Sequence, residues 1–200
     1  MTVDNTYNKL IDTGIKLFGE HGYDTVSVRD IVNDSGVNLS AISYHFGGKA
    51  ELYKAVVIYL VDEVEEVLNN LDANSFVTLD SKNMETRLRE IIWAFHQMFL
   101  SRNGQSRLKI FVRETTSPDN NFSHQYFTNM VNNVRDFFYK ILGAYYTSRD
   151  EPTDKIDFVI CVLMNMLKNI PQQQNLPLRC PIDFDDVFER MIHLILYSKI

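Results

Sequence analysis

Three side chains near residue 45 have the chemistry needed to hold an anion. The stretch VNLSAISYHFGGKAELY covers residues 37–53; in it Tyr44 and His45 supply hydrogen-bond donors, and Lys49 follows two glycines. A helix that begins at Lys49 adds free amide donors and the positive end of its dipole to the charge of the lysine. We therefore predict that these three residues contact phosphate oxygens. Taken alone, Tyr44 could equally be a core aromatic and His45 a surface or capping residue.

Short helices are predicted on both sides of this stretch, because apolar residues recur there every three or four positions. The first predicted helix ends at Gly22. The second runs from Val28 to Ser35, the third from about Leu39 to Phe46, and the fourth begins near Lys49. Ser27 and Asn38 are suited to cap the second and third helices, and glycines are suited to end them. A helix, a glycine-containing turn and a second short helix together form the helix-turn-helix pattern.

The third predicted helix has an inner and an outer face. A small shared core is predicted from Ile31, Val37, Ile42 and Phe46, which leaves Leu39, Ser40, Ala41, Ser43 and Tyr44 facing outward. Small side chains let a helix lie close to base edges in the major groove, and an alanine can touch a thymine methyl. The predicted DNA-binding residues are Ser27, Asn38, Leu39, Ser40, Ala41, Ser43, Tyr44, His45 and Lys49.

From Leu10 to Val57 the chain resembles the TetR family of bacterial one-component transcriptional repressors, through the motif FGEHGYDTVSVRDIVNDSGVNLSAISYHFGGKAELYKAVV. The resemblance implies an all-helical homodimer that binds a palindromic double-stranded operator. It also implies that a small-molecule effector binds in the C-terminal bundle and releases the repressor. The words NLSAISYHF and FVRETTSPD look more narrowly similar to the CecR-like branch.

The rest of the chain is predicted to form longer helices. A polar connection at 69–83 precedes helical stretches at about 84–102, 106–116, 122–147, 153–170 and 183–199. We predict an all-α fold of about nine helices. Residues 1–48 form the predicted helix-turn-helix domain, and residues 49–200 form the predicted effector-binding and dimerisation domain.

Two sets of residues in the second predicted domain have candidate roles. The resemblance implies a cavity, whose candidate ligand-binding residues are Trp93, His96, Phe111, Arg113, Tyr126, Met130 and Asn165. Each of them is individually more often structural, and Arg113 with Glu114 could simply form a surface pair. The last two predicted helices are apolar on more than one face, which favours a dimer interface of Val159, Val162, Met166, Phe184, Phe188, Met191 and Ile195. A wholly intramolecular core is the alternative.

Composition and motifs argue against several classes of protein. The net charge of −6 disfavours a nonspecific nucleic-acid coat, and residues 1–50 carry four Lys or Arg against six Asp or Glu. We therefore expect a shallow salt dependence of DNA binding. No catalytic motif or metal-type spacing occurs, so we expect no enzyme and no cofactor. A metal site formed by His96, His124 and nearby carboxylates is left open. Cys161 and Cys180 are predicted to be ordinary thiols rather than a disulfide.

Neither a secretion signal nor an apolar run of bilayer length occurs, so we expect a cytoplasmic protein without a membrane partner. Two other classes stay open beside the DNA-binding regulator. One is a helical ligand- or protein-binding dimer without DNA binding, which the acidic N-terminal part favours. The other is a small helical enzyme.

Overall fold

The computed structural model describes residues 3–100, 103–116 and 122–161, together with residues 189, 190, 192, 193, 196 and 197. Regular structure in these residues is helical. The helices are α1 (Val3–His21), α2 (Val28–Ser35), α3 (Leu39–Phe46), α4 (Lys49–Leu71), α5 (Ala73–Phe76), α6 (Ser81–Leu100), α7 (Gly104–Thr116) and α8 (Phe122–Ser148). A further helical stretch covers 156–161. The predicted all-α fold class is confirmed.

The helix boundaries of the first 50 residues follow the sequence signals closely, because α2, α3 and the start of α4 lie where they were predicted. The connection predicted at 69–83 is more helical than expected. There α4 continues to Leu71, and α5 follows with Phe76 buried, so one apolar side chain anchors an otherwise polar segment. The helix predicted at 153–170 is described only as far as 161, and most of the one predicted at 183–199 lies outside the described residues.

Two compact units can be distinguished in the chain. The first unit comprises Met1–Glu65 and Phe99–Met130, and the second comprises Glu66–Met98 and Val131–Ile200. The first unit therefore contains α7 as well as α1, α2 and α3. This division describes packing, whereas the predicted division at 48/49 describes function and stays a prediction.

In the first unit, α7 packs closely against α1. A Cβ atom added at Gly19 would lie 2.4 Å from the Ser106 carbonyl oxygen and 2.6 Å from the Ser106 Cα, so only a glycine permits this approach. Gly14 has a similar role toward α4, because a Cβ there would lie 2.8 Å from a methyl group of Val56. The helices α1, α4 and α7 thus form the frame that supports α2 and α3.

Polar contacts reinforce this frame. The Arg113 guanidinium donates hydrogen bonds to the carbonyl oxygens of Phe18 (2.7 Å) and Gly19 (3.3 Å), which lie in the last turn of α1. The Phe18 carbonyl also accepts from the Gly22 amide (2.9 Å), and a cation is favourable at this negative end of the helix dipole. The Tyr53 hydroxyl of α4 donates to the buried Glu114 carboxylate. Arg113 and Glu114 therefore tie α7 to two different helices rather than forming the surface pair that the sequence left open.

The second unit has an aromatic core. Phe95 of α6 packs on Phe138 of α8, with 5.4 Å between ring centroids. Near the end of α8, Tyr145 and Tyr146 are fully buried, and the Lys155 ammonium lies 4.2 Å from the centroid of the Tyr146 ring. Burial raises the pKa of Tyr146 to about 12, because the ionised phenol is poorly solvated in the core. Among the described residues, no helix combines the length and hydropathy that crossing a bilayer requires.

Candidate nucleic-acid interface

A reciprocal capping box starts α2. The amide of Asp30 donates to the Ser27 hydroxyl oxygen (3.2 Å), while the Asp30 carboxylate accepts from the amide (2.8 Å) and the hydroxyl (2.6 Å) of Ser27. These hydrogen bonds, above all that of the Ser27 side chain, lower the pKa of Asp30. The predicted cap is confirmed. The Ser27 hydroxyl was also predicted to contact DNA, and the structure uses it within the protein.

Local backbone geometry fixes the ends of α3. Gly36 ends α2 with a φ of 64°, and Gly47 ends α3 with a φ of 77°, both in the left-handed region that glycine tolerates best. Asn38 occupies the N-cap position of α3 as predicted. However, its side chain makes no capping hydrogen bond, so the prediction of a side-chain cap is wrong. Its amide group is exposed at the start of the helix.

The outward face of α3 is small, uncharged and strongly exposed. Ile42 and Phe46 are buried on the inner side, while 57% of Leu39 and 78% of Tyr44 is exposed. At about 100° per residue, the exposed positions 39, 40, 43 and 44 share one face of the helix. Ala41 and Val37 are half-buried, so they lie at the border between the two faces.

Aromatic contacts hold the C-terminal end of α3. Tyr7 of α1 stacks on Phe46, with 4.9 Å between ring centroids, and lies edge-on to His45 at 6.2 Å. His45 also lies edge-on to Tyr44 at 5.0 Å, so the half-buried imidazole contacts the rings of both tyrosines. Sequence reasoning placed Tyr7 only in the apolar rhythm of the first helix and missed its contact with α3. No local pattern reports a contact between residues 39 positions apart.

Lys49 is more engaged within the protein than expected. Its ammonium donates to the carbonyl oxygens of Tyr23 and Val26, both at 3.0 Å, and lies 4.3 Å from the centroid of the Tyr23 ring. Two of its three donors thus hold the connection between α1 and α2 against the start of α4. One donor remains, so the phosphate contact of Lys49 stays a prediction.

Other cations around α3 are also paired. The Lys16 ammonium lies 2.6 Å from the Asp34 carboxylate, and the Lys54 ammonium lies 2.7 Å from that of Glu51. Lys9 and Arg29 are exposed and make no ion pair within the part of the chain that the structure describes. The candidate interface therefore offers few free positive charges.

The candidate ligand-binding residues are divided between the two units. Phe111, Arg113, Tyr126 and Met130 belong to the first unit, and Trp93 belongs to the second. Phe111 packs edge-on against Phe127, Met130 is buried, and Tyr126 and Trp93 are 37% and 41% exposed. Asn165 lies outside the described residues, as does the side chain of His96. The role of these residues in ligand binding stays a prediction.

The candidate dimer interface is described at only one position. Val159 is 1% exposed, so it already packs within its own unit, whereas its neighbour Phe158 is 51% exposed. The other candidates, Val162, Met166, Phe184, Phe188, Met191 and Ile195, lie outside the described residues. Cys161 is an exposed thiol on the same helical stretch.

A groove lies beside α2 in the first unit. It has a volume of about 560 Å³, and its lining includes His21, Asp30 and Asp34. The Lys16 ammonium pairs with Asp34 and the Ser27 hydroxyl donates to Asp30, so both carboxylates of the groove already have partners within the protein. No group of three or more His, Cys, Asp and Glu side chains that could hold a metal ion occurs among the described residues.

One segment of the chain matches a known family of proteins. Residues 10–56 match the sequence model of the bacterial regulatory proteins of the tetR family. The matched segment begins within α1, contains α2 and α3, and ends within α4. The chain is thus an all-α protein that carries a TetR-type helix-turn-helix segment, and the narrower resemblance to the CecR-like branch stays a prediction.

Particular relatives extend the likeness beyond this segment. The chain is 25% identical over 112 residues to the "Probable HTH-type transcriptional regulator YttP" of Bacillus subtilis, which covers 56% of this chain and 51% of that protein. It thus spans about half the length of that relative. It is 24% identical over 158 residues, or 78% of each chain, to the biofilm operon icaADBC HTH-type negative transcriptional regulator IcaR of Staphylococcus epidermidis.

Solved structures share the fold over nearly the full length. The TetR family transcriptional regulator PfmR from Thermus thermophilus has a TM-score of 0.69 at 16% identity, covering 99% of this chain and 97% of that one. The fatty acid degradation regulator FadR from Bacillus halodurans has a TM-score of 0.70 at 14% identity, covering 97% and 96%. At such identities the likeness concerns the fold alone.

Proposed function

We propose that this protein is a TetR-like DNA-binding transcriptional regulator, and that it represses genes as a cytoplasmic homodimer. The proposal rests on one observation above the others. The segment that matches the tetR family presents an exposed α3 on a buried base of α1, α2 and α4. A surface helix with two serines, a leucine and a tyrosine on one face, and no charge on it, has the shape to enter a major groove.

Each subunit places α3 in the major groove of one half-site. The N-terminal residues Leu39 and Ser40 face base edges, while Tyr44, His45 and the remaining donor of Lys49 contact phosphate oxygens. Two subunits related by two-fold symmetry require a palindromic operator, with half-sites about one helical turn or more apart.

Repression is supported by the IcaR relatives, which are negative regulators by name and align over 78% of this chain. The words NLSAISYHF and FVRETTSPD support membership of the CecR-like branch as a narrower proposal. In the second word, Arg113 and Glu114 carry the contacts of α7 with α1 and α4.

The repressor has one conformation that fits the operator and one that does not. A small molecule releases the repressor because it binds the second conformation more tightly than the first. The candidate ligand-binding residues are proposed to surround this small molecule; they are Trp93, His96, Phe111, Arg113, Tyr126, Met130 and Asn165. The helix α4 belongs to both compact units, since the boundary between them falls at Glu65/Glu66. We propose that α4 transmits the ligand signal to α3.

Selection from a random double-stranded DNA pool, followed by titration of the enriched duplex, tests the DNA-binding proposal. Tyr44→Ala removes an exposed side chain of α3 and should weaken binding at least about tenfold, as expected for one lost hydrogen-bonding contact to DNA. Val77→Ala is the matched control, because Val77 is exposed but belongs to the other unit. No enriched sequence, with or without candidate small molecules, would favour the ligand- or protein-binding dimer instead.

The homodimer needs a separate measurement. Light scattering of the purified protein should give twice the mass of 23.3 kDa for one chain. A single-chain mass at micromolar concentration would contradict the dimer without affecting the fold.

A further inference from the structure

We infer that α3 selects half-sites rich in A·T pairs, and that Leu39 reads thymine through its C5-methyl group. This inference rests on the proposed function, since it names the kind of sequence that the DNA-binding surface accepts. It is carried by which side chains α3 exposes and by which side chains it lacks.

No side chain of the type that usually recognises guanine occurs on α3. A G·C pair is recognised in the major groove mainly by Arg or Lys, which donate two hydrogen bonds to O6 and N7 of guanine. Residues 38–46 read NLSAISYHF and contain neither. Lys49 lies beyond the end of α3 and spends two of its donors on the carbonyl oxygens of Tyr23 and Val26. Arg29 lies on α2, the helix that crosses the phosphate backbone in this class of motif.

Thymine, in contrast, can be recognised by the apolar side chain of Leu39. Leu39 is the first residue of α3, the end of the recognition helix that approaches base edges. Its side chain is 57% exposed, on the face shared with Ser40 and Ser43. Only thymine carries a methyl group in the major groove, so an apolar contact there distinguishes T·A from the other pairs. The serines accept either base and do not oppose this choice.

Asn38 adds a second preference of the same kind. Its exposed amide makes no capping hydrogen bond, so the carbonyl and amino groups are both available beside Leu39. An asparagine side chain matches N6 and N7 of adenine, the partner of thymine. Two neighbouring residues thus favour the two halves of an A·T pair by different chemistry.

Replacing thymine by deoxyuridine isolates the methyl contact, because base pairing and hydrogen bonding are unchanged. Burial of one methyl group contributes about 0.8 kcal/mol, or roughly fourfold in Kd. With one contacted thymine in each half-site, the fully substituted operator should bind about 15-fold more weakly than the thymine operator. The duplex is obtained by selection from a random pool, and Kd is measured by fluorescence anisotropy.

Leu39→Ala assigns the contact. This variant should bind the thymine operator more weakly but lose most of the difference between thymine and deoxyuridine. Ser43→Ala is the matched control on the same exposed face and should keep the full difference. Circular dichroism melts verify that both exposed substitutions leave the fold intact.

Each outcome decides between the inference and the function on which it rests. Enriched half-sites rich in G·C pairs, or a Kd that ignores deoxyuridine, overturn the inference and leave DNA binding in place. A deoxyuridine effect that persists in Leu39→Ala overturns the role of Leu39. A pool without enrichment refutes DNA binding itself, and the inference with it.

Discussion

For DNA binding by this protein, the slope of log K against log salt should be shallow. Five Lys and Arg residues occur in positions 3–54, but Lys16 and Lys54 are paired with carboxylates and Lys49 donates to two backbone carbonyls. Lys9, Arg29 and Lys49 are the cations of this segment that make no ion pair within the described residues, and Lys49 keeps one donor for a phosphate. Few phosphates can therefore be neutralised by each subunit.

The magnitude follows from the release of counterions. Each neutralised phosphate contributes about −0.9 to the slope of log K against log salt. Three cations in each of two subunits correspond to a slope of about −5.4. Between about 50 and 200 mM salt, the affinity should then fall by roughly 1,800-fold, compared with about 65,000-fold for a slope of about −8.

Fluorescence anisotropy with the selected operator at a series of salt concentrations measures the slope. Arg29→Ala should bring it to about −3.6, because each dimer loses two phosphate contacts. Lys54→Ala is the matched control and should leave the slope unchanged, since Glu51 already holds its charge. A wild-type slope near about −8 would refute the reasoning, because it would require the paired cations to leave their partners for phosphate.

Four substitutions, two in each compact unit, test the packing of the helices. Gly19→Ala should lower the free energy of unfolding by about 3 kcal/mol, because its Cβ clashes with the α7 backbone. Gly143→Ala should raise it by about 0.5–1 kcal/mol, because a Cβ there lies 3.9 Å from its nearest neighbour, a side-chain carbon of Ile156. Tyr53→Phe should cost about 2 kcal/mol, because it leaves the buried Glu114 carboxylate without its donor. Tyr146→Phe should remove part of the loss of stability between pH 10 and about 12, where the unfolded phenol ionises and the folded one stays protonated.

Urea unfolding curves measure all of these changes. For the tyrosine at 146, the wild type should lose about 1.4 kcal/mol more per pH unit than the phenylalanine variant above a pH of about 10. Equal slopes for the two proteins would show that this phenol ionises as readily in the folded state as in the unfolded one. Equal stabilities of the two alanine variants would contradict the close approach of α1 and α7.

The amino-acid sequence by itself determined the short helices around the candidate interface. Their boundaries depend on signals that act within four residues, such as the capping box of Ser27 with Asp30 and the left-handed glycines at 36 and 47. The alternation of buried and exposed positions along α3 is equally local, since it follows from the period of one helix. For this reason α2 and α3 could be predicted to the residue.

Only the tertiary structure decided what those residues contact. Lys49 meets two carbonyls 23 and 26 positions away, and Arg113 meets carbonyls of α1 that are 94 and 95 positions away. Such partners depend on how helices cross, which side-chain periodicity cannot specify. The same reason explains why the candidate ligand-binding residues, chosen as polar or aromatic groups on separate helices, fall into two compact units.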